Sequence, residues 1–127
     1  MNLNNILAFS DLAGDLNAKI KGFDMLCEQL SKLTDQENSQ YLSDGHANTT
    51  SLSLRKMALL EVFDDRAKEV FDGVKEQAST NAALQNYLIQ KVLQLKEKLK
   101  VNTSLQLHVI SEFHQNLNGR EARNICH

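Results

Sequence analysis

Residues Leu84–Leu99 read LQNYLIQKVLQLKEKL. Apolar side chains return every three or four positions along this stretch, at Leu84, Leu88, Val92, Leu95 and Leu99. This spacing places them on one side of an α-helix, because a helix completes a turn in about 3.6 residues. Polar side chains fill most of the other positions, so the stretch predicts an amphipathic helix with a single apolar stripe.

Two earlier segments repeat the pattern. The first runs from about Leu3 or Ser10 to Leu42, and its stripe consists of Phe9, Leu12, Leu16, Phe23, Leu26, Leu30 and Leu33. The second runs from about Leu52 to Ala78, and its stripe consists of Leu60, Phe63, Ala67, Val70 and Val74. The alternation of three- and four-residue steps favours packing of the coiled-coil type.

The third helix begins near Ala82, and its apolar stripe is interrupted at Asn102. The stripe resumes at Val109 and Phe113, and Gly119 is a suitable residue for ending the helix, since glycine accepts the left-handed conformation found at many helix ends. We therefore predict helices at about 3–42, 52–78 and 82–117, followed by a short tail at 118–127.

The composition supports a single helical domain covering residues 1–127. A chain of 127 residues has the size of one domain, and it contains no proline, the residue that breaks helix interiors. The predicted fold is all-α, an elongated antiparallel bundle or coiled-coil hairpin of three long helices. Each helix would be about 45 Å long at a rise of 1.5 Å per residue.

Two segments interrupt the apolar pattern. Asp44-Gly45 is a turn signal between the first and second helices. Ser79–Asn81 offers oxygen atoms that suit the start of a new helix. If Ser79–Asn81 does not turn, the second and third helices fuse into one rod about 100 Å long. The sequence leaves both readings open at this point.

The charge and the apolar runs exclude several classes of protein. A net charge of −2, with no aromatic residues among the lysines near residue 96, argues against nucleic-acid binding. No apolar run approaches the roughly 20 residues of a membrane-spanning helix, and Met1–Phe9 lacks the features of a signal peptide. Two cysteines at opposite ends of the chain do not form a disulfide framework. We expect a cytoplasmic protein that is not inserted into a membrane.

No group of residues predicts catalysis, a cofactor or a metal site. His108 and His114 lie six positions apart, which places them on different sides of a helix. The acidic residues near Asp64 and Asp65 alternate with basic residues and read as a solvated helix face. We therefore expect a protein that is not an enzyme and that works through its apolar stripes. The third stripe is the longest, and Val109, Ile110 and Phe113 either complete the core or form a groove for a partner.

Two segments resemble the FlgN-type flagellar export chaperones. Leu54–Arg66 reads LRKMALLEVFDDR, with a lysine, then a small residue and two leucines, then an arginine, as in the second long helix of that family. Asn81–Ile89 reads NAALQNYLI and is similar to the start of the family's next helix. The FliT-type chaperones of the filament cap are similar in size and helicity. One departure from the family is Asn124–His127, which lacks the tyrosine and glycines that family tails often carry.

The resemblance implies a cytosolic chaperone of the flagellar type III export system. Such a protein binds the C-terminal helical region of hook-associated proteins, prevents their premature assembly and delivers them to the export gate. Family members bind through the C-terminal helix, which here corresponds to Leu88, Val92, Leu95, Leu99, Val109 and Phe113. Lys91, Lys96 and Lys98 beside this stripe suit an acidic partner. We expect a monomer or weak dimer. The alternative is a coiled-coil scaffold that binds copies of itself.

Overall fold

The computed structural model describes residues 2–10, 12–43 and 50–125, and for residues 113, 114 and 116–125 it describes the backbone alone. Every regular element in these ranges is a helix, which confirms the all-α prediction. The helices are α1 (Leu3–Ala8), α2 (Gly14–Leu42), α3 (Thr50–Gln77) and α4 (Ala82–Ile125). Three of them are long, as predicted, and the short helix α1 was not expected as a separate element.

The three long helices run up, down and up. Helix α2 packs along both α3 and α4, and α1 packs against α4. Near one end of α2, the Ala13 backbone N–H donates to Gln77 Oε1 at 3.2 Å, while Ser53 reaches Glu37 near the other end, so α2 and α3 are antiparallel. Tyr87 reaches Asp24 and Asn102 reaches Asn38, so α2 and α4 are parallel. Helix α2 therefore holds the other two long helices together.

Most residues of the predicted stripes form the core or pack against it. The residues buried between the helices include Leu16, Ile20, Phe23, Leu26, Cys27 and Leu30 of α2, Val70 and Val74 of α3, and Leu84, Leu88 and Leu95 of α4. We predicted that Phe9 begins the first stripe, and this prediction was wrong, because its side chain is 93% exposed. It lies after the end of α1, where the chain leaves the helix before α2 begins.

The break between α3 and α4 settles the choice between a turn and a fused rod. Helix α3 ends at Gln77 and α4 begins at Ala82, so the two helices are separate. Asn81 caps α4, since its Oδ1 accepts the Leu84 backbone N–H at 3.1 Å. Its Nδ2 donates to Ser10 Oγ at 2.7 Å, which ties this turn to the residues that follow α1. The capping role predicted for the segment Ser79–Asn81 is therefore confirmed.

Two predicted boundaries were wrong. The first helix does not run unbroken from Leu3 to Leu42, because residues 9–13 separate α1 from α2. The third long helix does not stop before Gly119 but continues to Ile125. Glycine inside a helix costs only about 1 kcal/mol relative to alanine, which leaves the helix free to continue. The turn predicted at Asp44-Gly45 lies outside the described residues.

Within the described ranges, no helix is long and apolar enough to cross a membrane. The same ranges hold no group of three or more His, Cys, Asp or Glu side chains that could bind a metal ion.

Candidate partner-binding surface on helix α4

The first four residues predicted to bind a partner lie in the protein's own core. Leu88 and Leu95 are 0% and 3% exposed, and Val92 and Leu99 pack against the same core. They are covered because α4 lies along α2 over this length. In this conformation Leu88 and Leu95 are closed to a partner and Val92 and Leu99 are only partly exposed, so four of the six predicted positions do not form an open surface.

The remaining predicted positions lie where α4 outgrows its neighbours. Gln106 is the last residue of α4 with a described hydrogen bond to α2, through Glu37 Oε1 at 3.1 Å and Tyr41 Oη at 3.2 Å. From residue 107 to the end of α4, the helix continues for roughly 28 Å at 1.5 Å per residue. We call residues 107–125 the overhang of α4.

The overhang presents apolar side chains to solvent. Leu107 and Ile110 are 62% and 52% exposed, and Val109 is partly exposed. Phe113 lies in the overhang, but its side chain is outside the described residues. In the described part of the overhang, one contact between a basic and an acidic side chain is found, and it is internal to the helix: His108 Nε2 lies 3.0 Å from Glu112 Oε1. Of the two readings left open for Val109, Ile110 and Phe113, the exposure of Ile110 favours a binding surface over a completed core.

A buried polar cluster fixes α4 to the body just before the overhang starts. Lys56 Nζ of α3 lies 2.8 Å from Glu37 Oε1 of α2 and donates to Asn102 Oδ1 of α4 at 2.6 Å. Asn102 Nδ2 donates in turn to Glu37 Oε1 at 2.6 Å, and Ser53 Oγ donates to Glu37 Oε2 at 2.6 Å. These buried groups lose their bonds if one helix slides along another, so the cluster favours the observed register of the three long helices.

The cluster holds Glu37 in its charged form. Burial by itself would raise the pKa of this carboxyl group, because a charge loses its hydration inside the protein. Hydrogen bonds from Lys56, Ser53 and Asn102, with the charge of Lys56, outweigh burial and bring the pKa below the ordinary value of 4.5. Glu37 is therefore ionised at neutral pH, and it forms a salt bridge with Lys56.

We did not predict this cluster, although the sequence contains its signal. Asn102 had been noted only as an interruption of the third stripe. Glu37 follows Leu30 by seven residues, and Lys56 precedes Leu60 by four. Both therefore continue the apolar stripes of their helices. Three polar residues at core positions, one on each long helix, indicate a shared buried network once the helices are aligned.

Two of the three lysines expected to recognise an acidic partner are already paired within the protein. Lys91 bonds to Glu28 and lies 3.6 Å from Asp24, while Lys98 lies 2.7 Å from Asp35. Although burial lowers the pKa of Lys91, the bond to Glu28 and the charge of Asp24 raise it overall. Lys96 is exposed and has no ion pair with the described residues.

The pairs between α2 and α4 surround a buried thiol. Burial, together with the negative charge of Asp24, raises the pKa of Cys27 to about 11. The thiol is therefore protonated at neutral pH and behaves as a small apolar side chain, which makes it a poor nucleophile.

Comparison of the chain with protein-family models, with curated proteins and with solved structures gives no match. The function is therefore argued from the overhang and the residues around it.

Proposed function

We propose that the protein is a cytosolic, non-enzymatic chaperone of the flagellar export system. In this proposal it binds the C-terminal helical region of a hook-associated protein, prevents premature assembly and delivers that protein to the export gate. The observation that carries the binding role is the overhang of α4, with Leu107 and Ile110 exposed. The hook-associated client is taken from the resemblance of Leu54–Arg66 and Asn81–Ile89 to the FlgN-type chaperones.

The binding mode follows from the shape of the overhang. A single amphipathic helix that extends beyond its bundle lacks neighbours to cover its apolar side chains. A helix from another protein can supply that cover by packing its own apolar stripe alongside. Subunits that assemble through such stripes are then unable to assemble while the chaperone occupies them.

The buried cluster contributes rigidity to this arrangement. Lys56, Glu37 and Asn102 lie one turn before the overhang and bond to one another across three helices. They hold the base of α4 at a fixed position relative to the body. The overhang is then presented without the entropic cost of first ordering its base, which favours affinity.

Size-exclusion chromatography with light scattering tests the proposal. The protein alone is expected to elute as a monomer or weak dimer and to form a 1:1 complex with a hook-associated protein. Val109→Glu combined with Phe113→Glu is expected to abolish that complex while far-UV circular dichroism still shows the full helical signal. Leu95→Glu is the contrasting variant. It should lose the helical signal together with the complex, because a charge in the core unfolds the bundle.

The same measurement addresses the scaffold alternative, in which the overhang binds a second copy of the chain. A scaffold forms a stable oligomer alone, and its unfolding midpoint rises with protein concentration. A stable oligomer that no hook-associated protein alters would overturn the chaperone proposal.

A further inference from the structure

Helix α4 carries a second line of regularly spaced residues on its solvent side. Each member follows the previous one by four or three positions in strict alternation, which is the spacing of a coiled-coil seam. We call this line the outer seam; its members are Ile89, Leu93, Lys96, Lys100, Thr103, Leu107 and Ile110, and all seven are exposed. It runs beside the buried stripe and continues into the overhang.

The outer seam has apolar ends and a basic centre. Ile89 and Leu93, at one end, are 45% and 49% exposed, and Leu107 and Ile110 form the other end. Lys96, Lys100 and Thr103 lie between these ends, so two of the three central positions are basic. Neither lysine forms an ion pair with any described residue, unlike Lys91 and Lys98, whose partners lie on α2. The two central charges are therefore available to a partner.

We propose that the outer seam binds an amphipathic helix of another protein whose apolar seam carries carboxylate side chains opposite Lys96 and Lys100. Leucine, isoleucine or valine side chains of that helix pack on the two apolar ends, and the carboxylates select the partner and its register. This inference rests on the proposed function and deepens it, because it names the chemistry by which the client helix is recognised.

A second copy of the chain is a poor occupant of this seam. In a parallel pair in register, Lys96 faces its own copy, and so does Lys100. In an antiparallel pair centred between the two lysines, Lys96 faces Lys100. Both arrangements place like charges opposite each other, which is destabilising at the core positions of a coiled coil. An acidic helix replaces this repulsion with attraction.

An anionic membrane is also a poorer occupant than a helix. Helices that lie on membranes carry a broad apolar face and place their basic residues along its borders. Here the two lysines interrupt the seam at its centre, between apolar ends. A narrow seam with a charged centre fits the complementary seam of one helix.

Two designed peptides test the inference against the full-length chain. Each is a fluorescent amphipathic helix of about four heptads with leucine along its seam. One carries glutamate at the two central seam positions, and its twin carries lysine there. In fluorescence anisotropy, we expect the glutamate peptide to bind about tenfold more tightly than the lysine peptide, since both charge contacts change from attraction to repulsion. The preference should weaken as salt screens the charges.

The charge-reversed protein Lys96→Glu/Lys100→Glu should reverse this preference. Both positions are exposed, so its circular dichroism spectrum should match that of the unmodified protein. The matched control is Lys68→Glu/Lys75→Glu on α3, which makes the same change in net charge at two exposed positions away from the seam and should leave the preference unchanged. Equal binding of both peptides, or binding to phosphatidylglycerol vesicles without binding to the glutamate peptide, would overturn the inference.

A further arm separates this inference from the proposed function. The C-terminal segment of a hook-associated protein is measured against the unmodified and the Lys96→Glu/Lys100→Glu proteins. Equal binding to both overturns the outer seam and leaves the chaperone role in place. No binding to either protein, with the peptide preference intact, overturns the client's identity and leaves the seam in place.

Discussion

Lys56 is a basic residue buried between three helices, and its bonds affect how those helices are aligned. Its side chain is 7% exposed, and its amine bonds to both Glu37 and Asn102. A buried ion pair contributes little net stability, because both charges lose their hydration. Removing one partner is different, since the remaining charge is then buried without compensation. The cluster therefore selects one alignment of the helices more than it strengthens that alignment.

The substitution Lys56→Ala should lower the free energy of unfolding by about 3–5 kcal/mol, because it leaves the Glu37 carboxylate without its cation. Replacing the pair together, as Glu37→Leu/Lys56→Met, should cost much less. Urea unfolding followed by circular dichroism at pH 7 measures both. Lys68→Ala, at an exposed position of α3, is the control and should change little. If Lys56→Ala and the double variant are equally stable, the charge of Glu37 is not buried as the structure describes.

Acid should weaken the same cluster. The folded pKa of Glu37 lies below its ordinary value, so the folded state binds this proton less readily than the unfolded state. The stability that Glu37 contributes is therefore fully present above the unfolded pKa and is lost as the pH falls through the folded pKa. As the pH is lowered from 5, Glu37→Gln should lose less stability than the unmodified protein. Urea unfolding at each pH measures this loss. Glu61→Gln, on the exposed side of α3, should keep the full loss.

At the scale of residues, periodicity predicted the core well and the polar cluster not at all. The three- and four-residue steps identified Leu16, Phe23, Leu30 and Val70 as core residues, because burial follows the helix repeat. The role of Glu37, Lys56 and Asn102 depends on which residues of different helices meet. That register is a property of the packed bundle, and no single stripe contains it.

Among the elements, α2 and α3 each contain a glycine in the helix interior, and the surroundings of the two glycines differ. A Cβ at Gly22 would meet no atom within 4 Å, whereas a Cβ at Gly73 of α3 would lie 2.5 Å from Leu16 Cδ1. Leu16 is buried in the core, so its side chain has little room to move aside. The two glycines therefore have different roles, since Gly73 permits the close packing of α2 on α3 and Gly22 serves no such contact.

Gly22→Ala should raise the free energy of unfolding by about 0.5–1 kcal/mol, because alanine loses less backbone entropy when the helix forms. Gly73→Ala should lower it by about 1 kcal/mol, since overpacking at Leu16 outweighs the same gain in helix propensity. The midpoints of urea unfolding at equal slope give both values. A Gly73→Ala variant as stable as Gly22→Ala would show that Leu16 moves aside easily.

The existence of the long helices was predictable, but their ends were less so. The cap at Asn81 follows from a local side-chain preference, and the sequence indicated it. The break after Ala8 has no proline and no strong stop signal in its sequence. The end of α4 was placed at Gly119 on a preference of about 1 kcal/mol, which is too small to end a helix by itself.

For the whole molecule, the decisive feature is that one helix is longer than the two it packs on. Helix α4 has 44 residues, against 29 in α2 and 28 in α3. The sequence predicted an overhang from the longer stripe of the third helix. It also placed six binding residues from Leu88 onward, four of which lie in the core or pack against it. Exposure depends on where α2 ends relative to α4, and the bond between Glu37 and Asn102 joins the two helices in that register.

A chain shortened to end at Gln106 tests the division between body and overhang, because it removes residues 107–125. The described lateral hydrogen bonds of α4 end at Gln106, so the shortened chain should keep its free energy of unfolding to within about 0.5 kcal/mol, the range of neutral surface changes. It should also lose most of its affinity for the client helix, as measured by anisotropy. The midpoint of the full-length chain should not depend on protein concentration, because a monomer unfolds without dissociating. If the shortened chain is much less stable, and the full-length midpoint rises with concentration, the overhang is buried in a self-associated form. The scaffold alternative would then replace the chaperone proposal.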